Sequence, residues 1–268
     1  MKFLMVNPSY FDVTYSINRW MPDNIGRVDT VESVSQWMKL HDFISSHAEV
    51  TTIPGEQGLP DMVFSANAGF VLDGLATVSN FKCVEREREE GFFANWFSNN
   101  VDCAMHMRVP FEGAGDALWD EYSRLTWCGY GFRSDALART ILGTRYGINV
   151  VSLGLIDPRF YHLDTCLCPL SSGHVVYYPG AFDAPSLLEI RERVEPSMRI
   201  EVYEHEARNF ACNGVEVGGY YVAHRLSDSL QRRLCDAGYK PIELELGEFM
   251  KSGGSAKCLT LRLDYVSA

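Results

Sequence analysis

Five residues scattered along the chain have the types needed for thiolate chemistry: Asn67 in FSANAG, Glu112 in FEGAGD, His162 and Asp164 in FYHLDT, and Cys258 in SGGSAKCLTL. A thiolate is a strong nucleophile, an imidazole beside it can shuttle protons, and a carboxylate can orient that imidazole or bind a cation. Each residue alone has a plainer reading. A lone Cys in an apolar stretch is often structural, and a lone His often sits hydrogen-bonded in a core. Glu112 and Asp116 beside glycines read equally as turn residues, Asp164 as a turn cap, and Asn67 as a strand-end residue in the left-handed region. The chemistry requires the fold to bring them into one pocket.

The elements that would position them recur along the chain. Strand-like segments begin near Asp61, Arg108, Val150, Ile200 and Lys240, roughly every 45–50 residues, the spacing of a repeat array. Each of the five residues falls in one of these segments. Amphipathic stretches lie between the segments. VESVSQWMKLHDFISSHA sets Val31, Val34, Met38, Phe43 and Ile44 at helical spacing. EREREEGFFANWFSN, SDALARTILGTRYG, APSLLEIRERV and SDSLQRRLCDAG follow in turn, with Ser134 expected to cap the start of the third helix and Gly147 its end. The expected unit is strand, apex loop, strand, helix, repeated about five times. A closed ring of such units would gather the apex loops near one axis and leave no sheet edge exposed. The expected fold class is therefore α/β, with about five strand–loop–strand–helix repeats in one domain over residues 1–268.

Composition narrows the partners. The chain has 268 residues, 46% apolar and 22% charged, which is ordinary globular composition. Its net charge is −11, without a cluster of Lys and Arg, which argues against nucleic acid and anionic membrane surfaces. No window approaches a membrane span, and the N-terminus lacks the pattern of a secretory signal. The eight cysteines are expected to be free thiols in a reducing compartment, the cytoplasm. Cys166 and Cys168 are too close for a Cys-x-x-Cys site and suit alternate strand positions. No metal or organic cofactor is implied, since a thiol and water suffice. Self-association into a homo-oligomer is left open.

Taken together, FSANAG, FEGAGD, GYGFRSD, DPRFYHLDTCLCPL, YYPGAFD, ARNFACN and GGSAKCLTLRL resemble the guanidine-modifying superfamily, most closely the catalytic domain of arginine dihydrolases. The resemblance covers essentially the whole chain. It implies the pentein fold, a five-bladed αβ-propeller, as a single catalytic domain over residues 1–268. It implies Cys258 as nucleophile, His162 as acid–base, and Glu112 and Asp164 as the carboxylates that grip a guanidinium. It places Asn67 where arginine deiminases carry Asp and dihydrolases carry Asn. Asn18 and Arg86 match positions that hold the amino-acid end of the substrate. Ala114 departs from the pattern, which usually has Glu there. The implied partner is a small guanidine, arginine or methylated arginine. The implied reaction is hydrolysis through a covalent thiouronium, arginine-dihydrolase-like. Alternatives are a dimethylargininase, an amidinotransferase and a non-catalytic binding module.

Overall fold

The computed structural model describes residues 1–267. Five separate three-stranded sheets are arranged as five blades. The first blade contains β1 (Lys2–Val6), α1 (Thr30–Ser45) and β2 (Glu49–Ile53). The second has β3 (Gly69–Leu72), β4 (Leu75–Val78), the short α2 (Val84–Glu87), α3 (Glu89–Asn100) and β5 (Cys103–His106). The third has β6 (Ala117–Asp120), β7 (Leu125–Tyr130), α4 (Ala138–Tyr146) and β8 (Asn149–Gly154). The fourth has β9 (Leu167–Pro169), β10 (Val175–Tyr177), α5 (Ala184–Arg193) and β11 (Arg199–Glu201). After the one-turn α6 (Glu204–Ala207), the fifth has β12 (Val215–Val217), β13 (Tyr220–Ala223), α7 (Asp228–Asp236) and β14 (Lys240–Glu243). The one-turn α8 (Gly247–Met250) then leads to β15 (Leu261–Arg262), which returns to the first blade.

In the second to fifth blades an antiparallel pair is followed by a helix and a parallel third strand, the connection that parallel pairing requires. The hairpins of the second and fifth blades have two-residue turns. Asp73 and Gly74, at φ of 53° and 72°, join β3 to β4 in the doubly left-handed turn that suits strand twist. Strand β15 supplies the missing antiparallel partner of β1, pairing Phe3 with Arg262 and Leu4 with Leu261. The two ends of the described chain thus complete one blade between them.

Apolar faces meet between neighbouring blades. Trp127, Phe160, Tyr177 and Tyr221 are buried in one cluster, and Trp37, Phe64 and Phe249 in another that also holds Cys258. Burying each such side chain contributes about 1.5–3 kcal/mol. The helices follow ordinary capping rules. Asp29 accepts from the backbone of Val31 and Glu32 at the start of α1, and Ser227 accepts from Leu230 at the start of α7. Gly147 ends α4 in the left-handed conformation, as expected.

Four expectations need correction. The helix of the first blade forms, but Val31, Val34 and Met38 point to solvent, and its inner face is Ser33, Gln36, Trp37, Leu40 and Ile44. Gln36 is inside because its Oε1 accepts the Glu248 backbone N–H at 2.9 Å. Ser134 does not cap the third helix, which starts at Ala138; its hydroxyl is drawn instead to Asp116. Sheet edges are not abolished, because the blades remain separate sheets with outer strands such as β2, β5 and β14 half exposed. The expected polar residues lie in turns that enter the first strand of each blade, outside the hairpin loops. Cys258 itself sits in such a turn and not in a strand.

Candidate active site

The turns recur with the blades. Short 3₁₀ turns at Ser65–Ala68, Gly113–Gly115 and Leu163–Thr165 run directly into β3, β6 and β9. Turns at 210–213 and 256–259 precede β12 and β15. Asn67, Glu112, Asp164, Asn213 and Cys258 therefore lie in or next to the entry turns of five blades. A turn before a strand leaves backbone groups unpaired, and polar side chains there can satisfy them. The same side chains also face the common axis.

The sulfur of Cys258 is the meeting point. Its thiol donates to Asp164 Oδ2 at 3.3 Å, and Asn213 Nδ2 donates to it at 3.1 Å. Asn213 also donates to the Asp164 carbonyl at 2.9 Å, while its Oδ1 accepts from the backbone of Ser255 at 3.0 Å and of Cys258 at 3.2 Å. Two residues before Asp164, on the same turn, His162 Nε2 lies 2.6 Å from Glu112 Oε2. Because that oxygen belongs to a carboxylate, the proton is assigned to Nε2. Arg133 Nη1 reaches the same oxygen at 2.9 Å and its guanidinium lies over the Tyr161 ring, 4.6 Å from the centroid. All of these side chains are buried, none more than 5% exposed except Tyr161.

Burial and charge divide the groups into distinct electrostatic states. Burial favours the neutral form of a carboxyl, but at Glu112 it is overcome by Arg133 and His162, which hold it well below the usual carboxylate range. Burial pushes Asp164 up to about 6 against the opposing charge of Lys257, which makes no direct ion pair with it. Its Oδ1 has no hydrogen-bond partner among the described residues. Burial, reinforced by the Asp164 charge, pushes the Cys258 thiol well up. A cation seated against Asp164 would supply the missing partner and lower the cost of ionising the sulfur.

Asn67 is held from behind. Arg86 Nη1 donates to its Oδ1 at 2.9 Å, which leaves Nδ2 as the group available toward Glu112 and His162. Gly115 makes room for this arrangement: a Cβ there would collide with Asn67 Nδ2 and come within 3.4 Å of the His162 ring. Arg86 itself is buried. A buried guanidinium needs a carboxylate, and Glu89 grips it through Nε at 2.9 Å and Nη2 at 2.8 Å. Arg86 Nη2 also donates to the Asp61 carbonyl at 3.1 Å. In this structure it supports Asn67. Asn18 stands at the rim, half-buried. Its amide donates to the Ser252 carbonyl at 2.9 Å and accepts from the Trp20 backbone at 2.9 Å, pinning the loop that leads to Cys258.

Four supporting residues were not singled out as site residues from the sequence. Asn213 and Arg133 lie inside ARNFACN and GYGFRSD, so the motifs were visible but the individual contacts were not. Asp116 was read as a turn residue. Its Oδ1 accepts from the Leu163 backbone at 3.0 Å and its Oδ2 from Ser134 Oγ at 2.6 Å, which fixes the His162 turn. Asp61 joins Tyr15 at 2.9 Å to Ser252 at 2.7 Å, linking the N-terminal loop to the Cys258 loop.

A ring of five ββαβ blades whose entry turns gather a cysteine, a histidine and carboxylates about one axis defines the pentein class of guanidine-modifying proteins. The comparisons agree. The family model for eukaryotic N,N dimethylarginine dimethylhydrolase matches residues 32–264. The chain is 46% identical over 98% of its length to the bifunctional arginine dihydrolase/ornithine cyclodeaminase AgrE of Nostoc sp., and spans 38% of that relative's length. It is 36% identical to the N(G),N(G)-dimethylarginine dimethylaminohydrolase of Mycobacterium tuberculosis, covering 98% of this chain and 85% of that one. The solved N-terminal domain of ArgZ, a cyanobacterial arginine dihydrolase bound to substrate, superposes with a TM-score of 0.98 at 46% identity, covering 100% of this chain and 99% of that one. The chain belongs to the N,N-dimethylarginine dimethylhydrolase family of the guanidine-modifying superfamily.

Proposed function

We propose that this chain, as a single catalytic domain, hydrolyses the guanidinium group of arginine through a covalent adduct on Cys258, in the manner of an arginine dihydrolase. The observation that carries the reading is the buried, partly unpaired Asp164 carboxylate 3.3 Å from the Cys258 sulfur. A planar guanidinium is its natural complement: N–H groups to the open carboxylate oxygen, carbon over the sulfur.

The remaining residues divide the proton work. The Cys258 proton passes to His162 as the thiolate forms and attacks the guanidinium carbon. His162 then delivers that proton to the departing nitrogen, which leaves as ammonia, and a thiouronium remains on sulfur. Glu112, ionised and held by Arg133, stabilises the imidazolium during this exchange. Water, activated by His162, displaces the sulfur and gives a ureido product. Glu112 is committed to His162 and Arg133, so Asp164 supplies most of the open charge for the substrate.

Asn67 favours the second round of hydrolysis. With Oδ1 occupied by Arg86, its amide nitrogen presents a donor, which suits the neutral oxygen of a ureido group. A carboxylate at that place would repel the oxygen. Similarity to AgrE and to the ArgZ domain supports the same reading. The test is the yield of ammonia per arginine consumed, with products separated. Ornithine with two ammonia molecules is expected. Stable citrulline with one ammonia contradicts the double hydrolysis, and a marked preference for dimethylarginine with release of dimethylamine would instead favour the chemistry named for the Mycobacterium tuberculosis relative.

A further inference from the structure

The Cys258 sulfur has a hydrogen-bond donor that the proton transfers do not use. Asn213 is fully buried, and each polar atom of its amide is committed. Its Oδ1 accepts from the backbone N–H groups of Ser255 at 3.0 Å and Cys258 at 3.2 Å. Its Nδ2 donates one hydrogen to the Asp164 carbonyl at 2.9 Å and the other to the sulfur at 3.1 Å. These partners fix the orientation, because the reversed amide would set its N–H groups against two backbone N–H groups and its oxygen against a carbonyl. Among the described residues no other side chain donates to that sulfur.

The backbone that delivers the amide is held in an unfavourable shape. The Asn213 N–H donates to the Phe210 carbonyl at 2.9 Å, and the Lys257 N–H donates to the Asn213 carbonyl at 3.1 Å. Phe210 stands at φ of 56°. Asp73 and Arg124 also have positive φ, but they are exposed in hairpin turns, whereas Phe210 is buried. The left-handed region disfavours a bulky side chain, and such residues persist where their surroundings over-determine them, often at active sites. Here the Phe210 ring lies against Trp20, with 4.7 Å between centroids.

With Cys258 as the nucleophile, sulfur carries negative charge twice. It does so before it attacks carbon, and again when the carbon–sulfur bond breaks with its electron pair returning to sulfur. His162 holds the proton both times, taken from the thiol first and from water second. Resting on that reading, we propose that Asn213 is a catalytic residue whose amide N–H stabilises the Cys258 thiolate as attacking and as leaving group. An N–H aimed at an anionic sulfur makes a charge-assisted hydrogen bond, stronger than the same bond to the thiol, and so favours the ionised form. Burial first and then the Asp164 charge push the thiol up, and donation from the Ser255 backbone and from Asn213 acts against them.

The experiment measures alkylation of Cys258 by iodoacetamide in the intact, substrate-free protein, with peptide mapping, beside kcat and KM for arginine. Asn213→Ala is expected to slow alkylation about tenfold or more near neutral pH, because less of the sulfur is ionised, and to lower kcat at least as much with KM little changed. A purely structural role predicts the opposite sign: a loosened turn admits water to the sulfur, relieves the burial that holds the thiol up and speeds alkylation. Asn213→Asp keeps an oxygen toward the Ser255 and Cys258 N–H groups but offers the sulfur no amide hydrogen. It is expected to slow alkylation as well, and serves if the alanine variant fails to fold. Alkylation at the parent's rate or faster in a folded variant, with Cys258→Ser inactive, would overturn the role of Asn213 and leave the nucleophile in place. Arginine turnover by Cys258→Ser at the parent's rate would overturn the nucleophile, and this role with it.

Discussion

Asp164 is the residue on which stability and function pull in opposite directions. Its carboxyl titrates near 6, above the ordinary value of 3.8, because it is buried and makes no direct ion pair. A folded-state value above the unfolded one means that the folded chain holds the proton more tightly. The resulting stability is full below the ordinary value and is lost as pH rises through about 6, a difference of about 3 kcal/mol. Asp164→Asn removes this penalty. Thermal unfolding at about pH 8 is therefore expected to shift upward in the variant, with the gap closing near pH 4, while kcat/KM for arginine falls by at least ~10²-fold. An unchanged rate would remove Asp164 from the site. The residue types at this centre were legible in the sequence because Cys, His and carboxylates are the groups that thiolate chemistry requires. The contacts of Asn213 were not, because an amide that joins a sulfur, a carbonyl and two backbone N–H groups bears no local mark. Arg86 and Arg133 illustrate the same limit. Both are buried arginines with carboxylate partners, Glu89 and Glu112, and only the fold decides which arginine stands beside the imidazole.

The entry turn is the element that does the positioning. Five of them bring one or two functional side chains each to the axis, and their spacing must be kept to within a fraction of an ångström. Gly115 tests this. A methyl group at that position would strike the Asn67 amide and crowd His162, while both remain chemically intact. Gly115→Ala is expected to cost about 1–3 kcal/mol of stability and to depress kcat, with far-ultraviolet circular dichroism retained. A variant with the parent's kcat would show that Asn67 and His162 need no close approach. At this scale the helices and the fivefold repeat were readable from periodicity and caps. The turns were less so, because they carry no period of their own and were expected in the hairpin loops. The outer face of α1 misled for a different reason: Val31, Val34 and Met38 keep helical spacing, but burial of Trp37, Leu40 and Ile44 with a hydrogen-bonded Gln36 decides the inward face.

For the whole molecule, closure of the first blade ties the chain's end to its beginning. Strand β15 is only two residues long, yet it follows Cys258 by three positions and completes the sheet of β1 and β2. Removing residues 261–268 is expected to lower the midpoint of denaturant unfolding and to abolish arginine turnover, since Leu4 and Phe3 lose their antiparallel partners and the nucleophile loses its anchor. Retention of turnover would mean that the turn at Cys258 is held by Asn213 alone. Ring closure could be foreseen from the repeat count, but the pairing of first and last strands depends on long-range register that no local pattern encodes. The account as a whole rests on sulfur attacking a guanidinium carbon. The most direct test is intact-mass spectrometry of the protein quenched during arginine turnover, followed by peptide mapping. An adduct with the mass of arginine less ammonia, confined to Cys258 and absent from Cys258→Ser, is the predicted result; turnover of arginine by Cys258→Ser at the parent's rate would contradict it.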